Sequence, residues 1–174
     1  IGMALTHPDR VSRLVLIDSL PDHVRERLVS PLMQRALNTS VPAWLARFGA
    51  LFVGNRTMEA VLKEIIYDHT LVTPAVLDRS NRNRQREDMI TPLMSLRDSL
   101  PLWEQHFAPK LKEIRHPTLI LWGEQDRLFP PQVGRDLQTT IPQARLIMIP
   151  EAGHIPQWEQ PQVVNRHITE FLQP

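Results

Sequence analysis

The sequence predicts an α/β fold, with three parallel strands, flanking helices and an α-helical insertion, and three observations carry that prediction. Short apolar runs without polar alternation stand at Arg13–Ile17, Thr118–Trp122 and Arg145–Ile149, the pattern of strands buried on both faces of a parallel sheet. A helical pattern fills the gap between the second and third runs, as the crossover between parallel strands requires. Residues 20–114 show no comparable strand, only helical segments punctuated by Pro31, Pro42, Pro74, Pro92, Pro101 and Pro109.

Ile1 to Leu5 resembles the middle of a helix rather than a charged leader, so the true amino terminus is expected upstream. The first strand ends at Asp18. In the following block, Met58, Val61, Leu62 and Ile65 give the clearest helix, and Pro42 with Trp44, Leu45, Phe48 and Phe52 points to another. Inserted between two strands of one sheet, residues 20–114 would lie above the strands' carboxyl ends, where open α/β sheets bind ligands, and are therefore a candidate lid over a core made of 1–19 and 115–174. After the second strand, Pro131 suits a first helical position, and Val133, Leu137 and Ile141 form one apolar stripe, giving a right-handed βαβ unit. After the third, Val164, Ile168, Phe171 and Leu172 share a face opposite Asn165, Arg166, Thr169 and Glu170, a closing helix on the sheet.

Composition narrows the function. The 42% hydrophobic and 22% charged residues are an ordinary globular balance. Twenty basic residues against 19 acidic ones, spread along the chain, produce no field that favours nucleic acid or an anionic membrane. The arginine-rich stretch from Arg79 to Arg86 is nearly neutralised by Asp78, Glu87 and Asp88 and reads as a solvated lid face. The absence of cysteine excludes disulfides and thiolate metal sites, and the seven histidines lack metal-binding spacing, so no metal is expected. No run approaches the roughly 18 apolar residues of a membrane span. The expected setting is the cytoplasm, with self-association expected through an uncovered edge of the first strand.

The chemistry gathers at two strand ends. Thr118–Trp122 delivers Gly123-Glu-Gln-Asp126, and Arg145–Ile149 delivers Ala152-Gly-His154. A general base needs an imidazole whose second nitrogen is held by an acceptor, and Asp126 with His154 can fill those roles. One βα unit separates them, so adjacent parallel strands would bring both to the same edge of the sheet. Gly123 and Gly153 are expected to supply sharp turns there. The bland alternatives are an Asx-turn or helix-capping Asp126 and a His154 satisfied by backbone groups. Leu128, Phe129 and Ile155 flank the pair and either line an apolar pocket or belong to the core. His7, His23, His69, His106, His116 and His167 are expected mostly at the surface.

At these residues, Leu119-Ile-Leu-Trp-Gly-Glu-Gln-Asp126 and Ala152-Gly-His-Ile-Pro-Gln-Trp-Glu159, together with His7-Pro-Asp-Arg-Val-Ser-Arg-Leu-Val-Leu-Ile-Asp18, the sequence resembles the lid-bearing members of the α/β-hydrolase family. The family order is nucleophile, acid, histidine. None of the six glycines forms a Gly-x-Ser-x-Gly turn. The resemblance therefore implies a fragment whose nucleophile and oxyanion hole lie upstream of Ile1, inactive alone. In the intact protein it implies that a serine attacks a small-molecule substrate, a small apolar ester or related carbonyl, with His154 as base, Asp126 as the acid that orients it, and no cofactor. Asp18 is the competing acid, because some relatives take the carboxylate from that strand end. Other implied readings are an aspartate nucleophile, as in haloalkane dehalogenases and epoxide hydrolases, a carbon–carbon bond hydrolase, to which Trp158 points, and a non-catalytic binding module.

Overall fold

The computed structural model describes residues 1–38, 55–84 and 90–173. A short helix α1 (Gly2–Thr6) precedes strand β1 (Leu14–Ile17). Helices α2 (Val24–Arg27), α3 (Pro31–Asn38), α4 (Asn55–Ile65), α5 (Pro74–Arg84) and α6 (Ile90–Leu102) follow, and then come β2 (Thr118–Gly123), α7 (Pro131–Thr140), β3 (Ala144–Ile149), α8 (Pro156–Glu159) and α9 (Pro161–Leu172). All three strands are parallel in the order β1-β2-β3, with Leu14 opposite Thr118 and Thr118 opposite Ala144.

Both faces of the sheet are covered, which is why its strands carry no polar alternation. Period two sends neighbouring residues of β2 to opposite sides. Ile120 and Trp122 join Leu16, Val133, Leu137 and Ile141 on the α7 side. Leu119 and Leu121 join Ile149, Ala152 and Val164 on the α9 side, with Ile168 and Phe171 packed around them. Trp122 is fully buried, and its indole N–H donates to the Phe129 carbonyl at 3.2 Å, so the polar end of a large apolar side chain is satisfied. Helix α7 comes so close to this ring that a Cβ on Gly134 would lie 2.9 Å from Trp122 Cδ2.

The expected strands are found with small shifts. Arg13 lies outside β1. Its guanidinium instead donates to the carbonyls of Phe171 and Gln173 and lies 5.8 Å from the Phe171 ring centroid, holding the carboxyl end of α9, where a cation is favoured. Leu172 departs from the expected buried face. It is 55% exposed, although the adjacent Phe171 packs against the cluster on the α9 side of the sheet.

The helix expected from Met58 to Ile65 is α4, whereas the one expected around Pro42 to Phe52 lies outside the described residues. Pro31 and Pro74 occupy first helical positions, where a missing N–H costs nothing. Pro101 sits in the last turn of α6, and the backbone continues as a π turn over Trp103–Phe107 and a 3-10 helix over Ala108–Glu113. Proline removes a helical donor, which is a common cause of such a change in winding. Among the described residues between β1 and β2 there is no strand, and no described helix is long and apolar enough to cross a membrane.

Candidate active site

The loops after β2 and β3 are laced together by their backbones. Glu124 N–H donates to the Ile149 carbonyl at 3.0 Å and Gln125 N–H to the Ala152 carbonyl at 2.9 Å. The Gln125 side-chain oxygen accepts from Ala152 N–H at 3.1 Å. The chain turns at Gly123 and Gly153 without left-handed backbone, since no described glycine has a positive φ. Their role is close approach. A Cβ on Gly123 would lie 2.0 Å from the Gly153 carbonyl oxygen, and one on Gly153 would lie 2.4 Å from the Ile65 carbonyl oxygen.

This lacing brings Asp126 and His154 into contact. Asp126 Oδ2 is 2.9 Å from His154 Nδ1, while Oδ1 accepts from the N–H groups of Leu128 at 2.7 Å and Phe129 at 3.1 Å. Asp126 therefore forms the expected turn through Oδ1 and makes the contact with His154 through Oδ2. Three hydrogen bonds to one buried carboxylate fix its orientation. With Asp126 accepting at Nδ1, the neutral imidazole holds its proton there and presents its lone pair at Nε2. The Asp126 side chain is fully buried and that of His154 keeps 20% of its surface exposed, so the carboxylate is dry and the imidazole accessible. The His154 backbone N–H donates to the Ile65 carbonyl at the end of α4, at 2.7 Å.

Asp18 lies beside this pair without entering it. One atom each of Asp18, Asp126 and His154 fall within 4.8 Å of one another, and the left-handed φ of 36° at Asp18 turns the chain at the end of β1. Its Oδ1 accepts from Gly123 N–H at 3.1 Å, whereas Oδ2 is buried without a hydrogen-bond partner. Burial first, and the neighbouring Asp126 charge second, push the Asp18 carboxyl up to about 9. The folded state thus keeps a proton that the unfolded chain releases near 3.8, so stability falls as pH rises between those values. Asp18→Asn keeps the acceptor for Gly123 and removes the ionisable group. Urea unfolding midpoints of the native protein should drop between about pH 5 and about pH 8, and in the variant that drop should flatten. An unchanged slope would show that Asp18 is ionised in the fold.

These three side chains are the converging group of potential cation donors among the described residues. Three of the acceptor sites of Asp126 are already taken by two N–H groups and an imidazole, and burial favours the neutral form of Asp18, both of which weaken the set as cation ligands.

Phe129 belongs to the core cluster of Trp122, and its ring lies 5.8 Å from that of His154. Leu128 is half-buried against the same cluster, and Ile155 is half-buried at the start of α8. His7, His23, His69 and His106 are exposed. His116 and His167 are half-buried, with His116 Nε2 on the Pro8 carbonyl and His167 Nδ1 at 3.5 Å from Glu170. Sequence reasoning missed Gln125 and Glu159, whose carboxamide and carboxylate hold the backbone of the His154 loop. Their only local signal is an acceptor side chain, Gln125 in the loop after β2 and Glu159 at the end of α8.

A parallel sheet that is covered on both faces and brings a carboxylate and an imidazole together at one end defines an α/β protein, a class whose open sheets bind ligands at the carboxyl ends of their strands. The chain belongs to the α/β hydrolase fold family, whose model matches residues 3–161. It is 26% identical over 173 residues to a 2-hydroxy-6-oxo-6-phenylhexa-2,4-dienoate hydrolase of Burkholderia cepacia, covering 99% of this chain and 58% of that protein. A 2-hydroxy-6-oxononadienedioate/2-hydroxy-6-oxononatrienedioate hydrolase of Comamonas testosteroni is 25% identical over the same coverage. The structure of a meta-cleavage product hydrolase from Pseudomonas fluorescens IP01 superposes with a TM-score of 0.70 at 22% identity, covering 98% of this chain and 58% of that one, a likeness of fold. The chain thus spans less than two thirds of the length of these relatives.

Proposed function

We propose that this chain supplies the acid and the base of a hydrolase, with His154 Nε2 taking a proton from a serine contributed outside these 174 residues. The observation that carries the reading is the 2.9 Å contact between His154 Nδ1 and Asp126 Oδ2. In this scheme the serine oxygen bonds to a substrate carbonyl carbon as its proton passes to His154, and Asp126 steadies the imidazolium that forms. The imidazolium returns the proton to the leaving group, and water, deprotonated by the same imidazole, releases the acyl group. The 174 residues alone are proposed to be inactive, because proton transfer without a nucleophile or oxyanion donors lacks its covalent step.

We further propose that residues 20–114 act as a lid that selects small, largely apolar substrates. Support comes from the end of α4, whose Ile65 carbonyl meets the His154 backbone.

Two substrate classes compete, an ester and a carbon–carbon bond next to a ketone. The names of the relatives from Burkholderia cepacia and Comamonas testosteroni favour the second. Both use the same acid and base, so the test is a comparison of p-nitrophenyl esters with 2-hydroxy-6-oxo-dienoates on the full-length protein. Turnover of the dienoates at higher kcat/KM selects the carbon–carbon reading. Preference for esters selects the other, and turnover of neither class would refute the proposal.

A further inference from the structure

A carboxylate outside the Asp126–His154 pair is built into the loop that presents His154. Glu159 ends α8, and its two oxygens accept three backbone N–H groups, Oε1 from Gly153 at 2.8 Å and Oε2 from Tyr67 at 2.7 Å and Asp68 at 3.1 Å. Gly153 immediately precedes His154. Tyr67 and Asp68 lie just beyond α4, in the helical stretch between β1 and β2. One side chain therefore joins the histidine loop to a segment distant in sequence, and the His154–Ile65 backbone bond runs alongside it at 2.7 Å.

We infer that Glu159 is a positioning residue, locking the loop that carries His154 to the segment after α4 and so holding the imidazole on Asp126. The inference rests on the proposed role of His154 only for its bearing on proton transfer, because the hydrogen bonds themselves can be read without turnover. Glutamate has the two properties the place demands. Its negative charge strengthens each N–H contact, and its two equivalent oxygens serve two segments at once. Glutamine has the same shape but offers one acceptor, and its amide N–H₂ would face a backbone donor. Aspartate is one methylene shorter and reaches only one of the two segments. Fit is tight as well, since a Cβ on Gly153 would meet Tyr67 N at 2.9 Å and Glu159 Oε1 at 3.2 Å.

The test compares the native full-length protein with Glu159→Gln and Glu159→Asp by NMR. One readout is the low-field resonance of the His154 Nδ1 proton, which is visible when that proton is held by Asp126. The other is amide exchange at Gly153, Tyr67 and Asp68, with Ile120 and Leu121 of the central strand as the reference for global opening. In Glu159→Gln the low-field resonance should broaden or vanish, and at least one of the three loop amides should exchange roughly tenfold faster while the reference amides stay within about twofold. Glu159→Asp should protect one segment only. A persistent low-field resonance with unchanged exchange would overturn the inference, as would parallel acceleration of loop and reference amides, which marks a general stabiliser. Failure of the hydrolase reading would appear separately, as absent turnover in a protein that still shows the low-field resonance.

Discussion

In the full-length protein, His154→Ala is expected to lower kcat on the best substrate by about 10³-fold or more with little change in KM, because in the proposed scheme the imidazole acts in the transition state and not in ground-state binding. Asp126→Asn should cost on the order of 10⁴-fold. The carboxamide can keep its oxygen on the N–H groups of Leu128 and Phe129, but then turns an N–H₂ donor toward Nδ1, forcing the ring proton to Nε2, where the lone pair is needed. The two losses should not add. Once either partner is gone the other has no function, so the double variant should resemble the worse single one. Single-turnover kinetics on the three variants measures this, and a loss under about tenfold for His154→Ala would remove it from the chemistry.

The second large effect is structural. Gly123→Ala places a methyl group 2.0 Å from the Gly153 carbonyl oxygen and 2.6 Å from that of Ala152, both backbone atoms of the loop that presents His154. Relief requires the β2 and β3 loops to part, breaking the Gln125–Ala152 backbone bond between them. A cost of about 3 kcal/mol or more is expected, at the upper end of overpacking effects. Gly134→Ala is the milder control, because the atoms it meets at 2.9 to 3.1 Å belong to the Trp122 ring, a side chain rather than a backbone. Urea unfolding should therefore rank Gly123→Ala well below Gly134→Ala. The reverse order would show that the two loops separate easily.

The ranking also separates what the sequence displays from what it hides. Three apolar runs announced the parallel sheet because burial on both faces leaves a continuous one-dimensional pattern, and Val133, Leu137 and Ile141 announced α7 through their spacing. Asp126 and His154 were legible because each follows a strand, and parallel neighbours in a sheet end at the same edge. The reason for Gly123 and Gly153 was not legible. A glycine needed for a turn and a glycine needed for close approach look alike until the partner backbone is known. Glu159 escaped for a related reason, since all three of its donors are main-chain groups and main-chain groups leave no mark on residue identity. Asp18 was visible as a strand-end acid, but only the fold shows it hydrogen-bonded to Gly123 and driven to hold its proton.

The account stands on His154 and Asp126 acting as the base and acid for a serine. A fluorophosphonate probe bonds to a serine oxygen only when a neighbouring base takes its proton, so it reports that relationship without knowledge of the substrate. Labelling the full-length protein and locating the adduct by mass spectrometry should find one modified serine, with the rate reduced by about 10³-fold in His154→Ala and likewise in Asp126→Asn. A protein that is not labelled, or is labelled equally well without His154, would contradict the account.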